Sequence, residues 1–134
     1  MNFKELDVWK RSARLSAEIY KATFNLNDFG FRDQLTRSGL SVPSNIAEGV
    51  SRLSDKETVQ FLSIAKGSLA ELETQVLIGM DIGYINKNVG KAWLEDIDAI
   101  QAMLFGLSKR YKTIIATQNS QQLKGQANNT SKEQ

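Results

Sequence analysis

Apolar residues recur along this chain at steps of three and four, the period of a helix buried on one side. Over residues 6–24, Leu6, Trp9, Ala13 and Tyr20 make one stripe, and Val8, Leu15, Ile19 and Ala22 make a second beside it. A doubled stripe predicts burial on two sides: a wide core face or an added subunit contact. Residues 25–30, NLNDFG, carry turn chemistry. A second helix is predicted from Phe31, with Leu35, Val42, Ile46, Val50 and Leu53 at helical spacing after it. Pro43 falls inside this pattern. Its ring crowds the Gly39 carbonyl and its nitrogen carries no proton. The periodicity nevertheless continues, which predicts one helix kinked at Pro43.

A break at 51–53 precedes Ser54-Asp55-Lys56-Glu57, which reads as a capping box. The third helix then runs to about Ile82. Its seam is Leu62, Ala65, Leu69, Leu72, Val76 and Gly79/Met80, and Gly83 suits the position just past its end. Gly67 and Gly79 inside this helix suggest close helix–helix approach. Residues 84–88 connect to a fourth helix, roughly 88–117. Trp93, Ile97, Ile100, Leu104, Leu107, Tyr111 and Ile114 follow there as heptads. No strand pattern competes. Short connections make neighbouring helices antiparallel. The expected fold is all-α, an antiparallel up-down-up-down four-helix bundle over residues 1–117. Residues 118–134 hold one large apolar side chain, Leu123. They are expected to form a disordered polar tail.

The 134-residue length fits one such domain. The absence of cysteine and histidine excludes several chemistries. It removes disulfides, thiolate zinc sites, cysteine nucleophiles and histidine-based triads. A di-iron site in a bundle needs two Glu-x-x-His motifs, so a di-iron centre is excluded and no metal site is expected. Phosphate-loop and nucleophile-elbow motifs are missing as well. Glu48 could come within reach of Glu71, but a carboxylate beside Arg37 or Ser44 fits a structural network better than an acid catalyst. The chain is expected not to be an enzyme. The charged start MNFKELDVWKRSARL lacks the apolar core of a secretory leader, and no apolar run is long enough to span a bilayer. A cytoplasmic protein without a membrane partner is expected.

Net charge is only +2, unlike that of a strongly basic nucleic-acid binder. It is unevenly spread: residues 1–53 and 86–134 are net positive, whereas 54–85 are net negative. Lys10, Arg11 and Arg14 cluster on the first helix, and Lys109, Arg110 and Lys112 late on the fourth. Arg37 and Arg52 lie on the second.

Three blocks together resemble one family: FKELDVWKRSARLSAEIY, LTRSGLSVPSNIAEGVSR, and the stretch from Glu57 to Ile85. SVPSNIAEG at 41–49 and GSLAELETQ at 67–75 are its most specific parts. The chain is similar to the S23, or 23S rRNA intervening-sequence, four-helix bundle proteins. Accessory proteins of diversity-generating retroelements are related to them. The resemblance covers about residues 3–112. It implies a homopentamer with no cofactor and no known enzyme activity. It also implies nucleic acid, RNA or DNA, as a partner, with RNA suggested by the genomic setting. The expected contacts are Arg11, Arg14, Arg37, Lys109 and Arg110. The alternative is a scaffold or adaptor for a protein such as a reverse transcriptase, using helix 1 or exposed apolar residues such as Phe105. Within SVPSNIAEG, Ser44 and Asn45 are expected to satisfy backbone groups freed by Pro43, and Glu48 to bond across to the third helix.

Overall fold

In a computed structural model, the backbone is described for residues 1–133 and side chains for residues 1–128. After a short 3₁₀ turn at Phe3–Glu5, four helices follow: α1 (Asp7–Ala22), α2 (Phe29–Val50), α3 (Asp55–Asp81) and α4 (Lys87–Glu133). No strand occurs among the described residues.

Local chemistry sets the helix ends. The Asp28 carboxylate accepts the Phe31 N–H at 3.1 Å and starts α2. Ser54 Oγ accepts the Glu57 N–H at 3.5 Å and starts α3, the serine half of the expected capping box. Gly83 ends α3 at φ +80°, a left-handed conformation that costs glycine little. The Tyr84 and Ile85 N–H groups turn back onto the Gly79 carbonyl, at 2.8 and 3.0 Å. α2 continues unbroken through Pro43, which is buried.

Each helix packs against its neighbours in chain order, and α4 closes against α1. Thr58 at the start of α3 reaches Gly49 at the end of α2. At the other end, Gly79 of α3 faces Phe31 of α2. The two helices are therefore antiparallel. The core is one cluster drawn from all four helices. It includes Leu15 and Ile19, Leu35, Val42 and Ile46, Leu62, Leu69 and Val76, and Trp93, Ile97 and Leu104. The seam expected for α3 is buried except for Met80, which is half-buried.

Several expectations are corrected. The doubled stripe of α1 resolves into a buried face of Val8, Leu15 and Ile19, while Tyr20 and Ala22 are exposed. Leu53 lies in the loop after α2, fully exposed, because the helix has already ended at Val50. A Cβ on Gly67 would meet nothing within 4 Å, whereas one on Gly79 would collide with Ile85 and Phe31. Of these two glycines, Gly79 alone marks a close approach. Glu48 pairs with Arg52 one turn on, in solvent, and bonds neither α3 nor Glu71. Asn45 Nδ2 donates to the Ser41 carbonyl at 2.8 Å and to Ser41 Oγ at 2.9 Å. Ser41 Oγ in turn meets Ser68 Oγ at 2.8 Å. The Asn45 amide therefore ties α2 to α3 through Ser41, with no bond to the Gly39 carbonyl that Pro43 frees.

The largest difference concerns the C-terminal end. α4 passes the boundary expected at residue 117 and continues to Glu133. Packing stops near that boundary all the same: Ile115 is the last half-buried residue, and residues 116–128 are exposed. The stretch contains no proline. Its Gln, Ala, Leu and Lys residues have good helix propensity, so the polar composition marks the end of burial among the described residues and not the end of the helix. The side chains of residues 129–134, part of the expected tail, lie outside the described residues.

Candidate nucleic-acid interface

The solvent side of α1 carries the clearest charged feature. Lys10, Arg14 and Lys21 are spaced by four and seven residues, which puts them on one line opposite the buried Val8, Leu15 and Ile19. At 1.5 Å per residue the line is about 16 Å long. All three side chains are exposed and none makes an ion pair among the described residues.

Beside this line α1 meets α4. The start of α1 lies against Met103, Leu107 and Arg110, with a cleft of about 490 Å³ between them that Glu5 and Asp7 also line. A second cleft, of about 340 Å³, is lined by Asp7, Lys10, Arg11, Arg14 and Met103. Arg11 is committed: its Nε and Nη2 both lie 3.0 Å from Asp96 Oδ1. Met103 thus stands between Arg110 on one side and Arg11 and Arg14 on the other. These are three of the five basic residues expected to act together.

The other two lie elsewhere. Lys109 follows the bundle round to the opposite groove of α4, between α3 and α4. This groove has a volume of about 860 Å³, a floor of Leu62 and Leu104, and a rim of Lys66, Asp98, Lys109 and Lys112. Phe105 stands exposed in its wall. Arg37 is on α2, in the notch between α1 and α2 that Tyr20, Phe24 and Arg32 also line. Lys109 and Arg37 therefore do not form one patch with Arg11, Arg14 and Arg110, although Lys109 adjoins Arg110 in sequence.

Sequence reasoning did not single out Lys21, Arg32, Phe24 or Phe29. The signal lay in two phenylalanines flanking a turn and outside every seam. The described residues contain no group of three or more His, Cys, Asp or Glu able to hold a metal ion. Two phenols are perturbed. Tyr84 donates to Asp28 Oδ2 at 3.1 Å, and this bond to a carboxylate holds its pKa above the ordinary value. Burial raises that of Tyr111, helped by Asp55 and opposed by Arg110. Neither has a partner that would make it a base near neutral pH.

A four-helix bundle with cationic residues along one edge defines the class of protein. The 23S rRNA-intervening sequence protein family model matches residues 4–106, and the chain belongs to that family. A crystal structure from Bacteroides thetaiotaomicron, of a protein with unknown function from the S23 ribosomal protein family, superposes with a TM-score of 0.72 at 25% identity. The match covers 76% of this chain and 98% of that one. No curated protein matches in sequence. Among the described residues, no helix is long and apolar enough to cross a membrane.

Proposed function

We propose that this chain is a non-enzymatic, cytoplasmic protein that assembles as a homopentamer and binds nucleic acid, RNA in the first instance, through the basic edge of α1. The observation that carries this reading is the exposed line of Lys10, Arg14 and Lys21, without an ion pair among the described residues and flanked by Arg110. Cations at such spacing fit phosphates without reading bases. Repetition of a small patch around an oligomer multiplies the number of phosphates neutralised, and with it the salt dependence of binding. Exposed Ile64, Leu77 and Ile78 on α3 support assembly, as does the open space at Gly67. The number five rests on the family resemblance.

The test is a salt series of RNA and DNA retention on protein of known mass. Arg14→Glu with Lys21→Glu should abolish low-salt retention without changing the light-scattering mass or the melting temperature. Unaltered retention would remove the α1 edge as the site.

The α3–α4 groove supports a second reading, an adaptor. Its apolar floor, exposed Phe105 and lysine rim fit an amphipathic helix with acidic flanks, as on a protein partner such as a reverse transcriptase. A pentamer that ignores nucleic acid at low salt would favour it.

A further inference from the structure

The turn between α1 and α2 exposes three aromatic rings that the core does not use. Phe24 is 76% exposed, Phe29 62% and Tyr20 45%. Arginines accompany them. The Arg32 guanidinium lies 4.8 Å over the Phe29 ring, and its Nη1 donates to the Phe24 carbonyl at 3.0 Å. Tyr20, Phe24, Arg32 and Arg37 line a single notch of about 310 Å³, with Asp33 as its one acid. The threonine hydroxyls in its wall are already engaged: Thr23 donates to the Ile19 carbonyl at 2.7 Å, and Thr36 to that of Arg32 at 2.8 Å. The notch therefore offers ring faces and positive charge, with few groups left to read a base edge. Lys21, one turn before Phe24, is the end of the basic line.

We infer that this notch stacks unpaired bases of a single-stranded nucleic acid whose backbone follows Lys21, Arg14 and Lys10. The inference rests on the nucleic-acid reading above and adds the class of ligand. Stacking needs an exposed ring face and tolerates any base, because every base has one. In a duplex the bases are already stacked on one another, and the phosphates are what it offers a basic line. A second copy of this chain is a poorer occupant, since it brings the same three cations, Lys21, Arg32 and Arg37, to the contact. A polyanion complements them.

The test compares the full chain's affinity for a short oligoadenylate with that for an RNA duplex of equal length at low salt. Phe24→Leu with Phe29→Leu keeps apolar side chains at exposed sites and removes the rings. It should weaken oligoadenylate binding by about tenfold and leave duplex binding within about twofold. Phe24→Trp with Phe29 intact keeps both rings and should retain the single-strand affinity. Equal losses on both ligands, or no loss on the oligoadenylate, would overturn stacking. So would a changed light-scattering mass in the leucine variant, because the notch would then be a contact between copies. If the wild-type chain retains neither ligand, the nucleic-acid reading falls and the inference with it. If only the leucine variant behaves like wild type, the inference alone falls.

Discussion

The contact between α2 and α3 and the contact between α1 and α4 use different materials. Between α2 and α3, small residues let the backbones close. A Cβ on Gly49 would lie 2.7 Å from Phe61 Cβ and 3.4 Å from the Thr58 carbonyl oxygen. Thr58 Oγ1 donates to the Gly49 carbonyl at 2.7 Å, a bond buried from solvent. The Asn45–Ser41–Ser68 chain joins the same two helices further along. Between α1 and α4 the contact is clefted, and an ion pair between Arg11 and Asp96 links the two helices. Arg11 and Asp96 keep 34% and 27% of their side-chain exposure. Exposed pairs of this kind contribute little, because water screens them and ordering two side chains costs entropy. The difference separates two tasks. The tight seam specifies how the helices sit, and the open edge keeps cations in solvent where a polyanion can reach them.

Substitutions can break this contrast. The largest effect is expected from Gly49→Ala, where the added methyl group must displace Phe61. It should destabilise by about 1–3 kcal/mol, read as a lower midpoint in chemical denaturation. Asn45→Leu comes next. It leaves Ser41 Oγ with Ser68 alone and should cost about 1 kcal/mol, read as a lower melting temperature with nucleic-acid retention unchanged. An unchanged melting temperature with lost retention would instead give the SVPSNIAEG block a direct role in binding. The smallest effect belongs to the open edge. Asp96→Asn should change stability by less than about 1 kcal/mol. It also releases Arg11, so low-salt retention should rise slightly. A large loss of stability there would show that the two contacts are not different in kind.

Much of the fold was legible because it is local. Ser54 and Gly83 act within a few residues of themselves, and the α3 seam repeats with the helix period. Heptads in α4 placed Trp93 through Leu107 in the core, where they are buried. The limits appear at Ile114, which follows the same heptads and is exposed. Periodicity continues for as long as the sequence does, but burial requires a neighbouring helix. The same reason explains Tyr20, a member of a helical stripe that faces water.

The candidate site was less legible. Arg11, Arg14, Arg37, Lys109 and Arg110 were grouped by type, and side chains of one type need not share a face. Lys109 and Arg110 are adjacent in sequence but about 100° apart around α4, and they line different grooves. Arg11 and Arg14 lie one turn apart, but a carboxylate 85 positions away engages the first. No spacing rule reports that partner.

What the sequence alone determined was the number of helices, the cap that begins α3, the glycine that ends α3 and most of the residues facing the core. These depend on backbone geometry and on neighbours within a turn or two. Only the tertiary structure decided that Met103 would sit between Arg110 and Arg14, that Arg11 would meet Asp96, and that Arg32 and Arg37 would flank the exposed rings of the α1–α2 turn. Those juxtapositions depend on how four amphipathic cylinders rotate and slide against one another, and that is settled by close packing of the whole core at once.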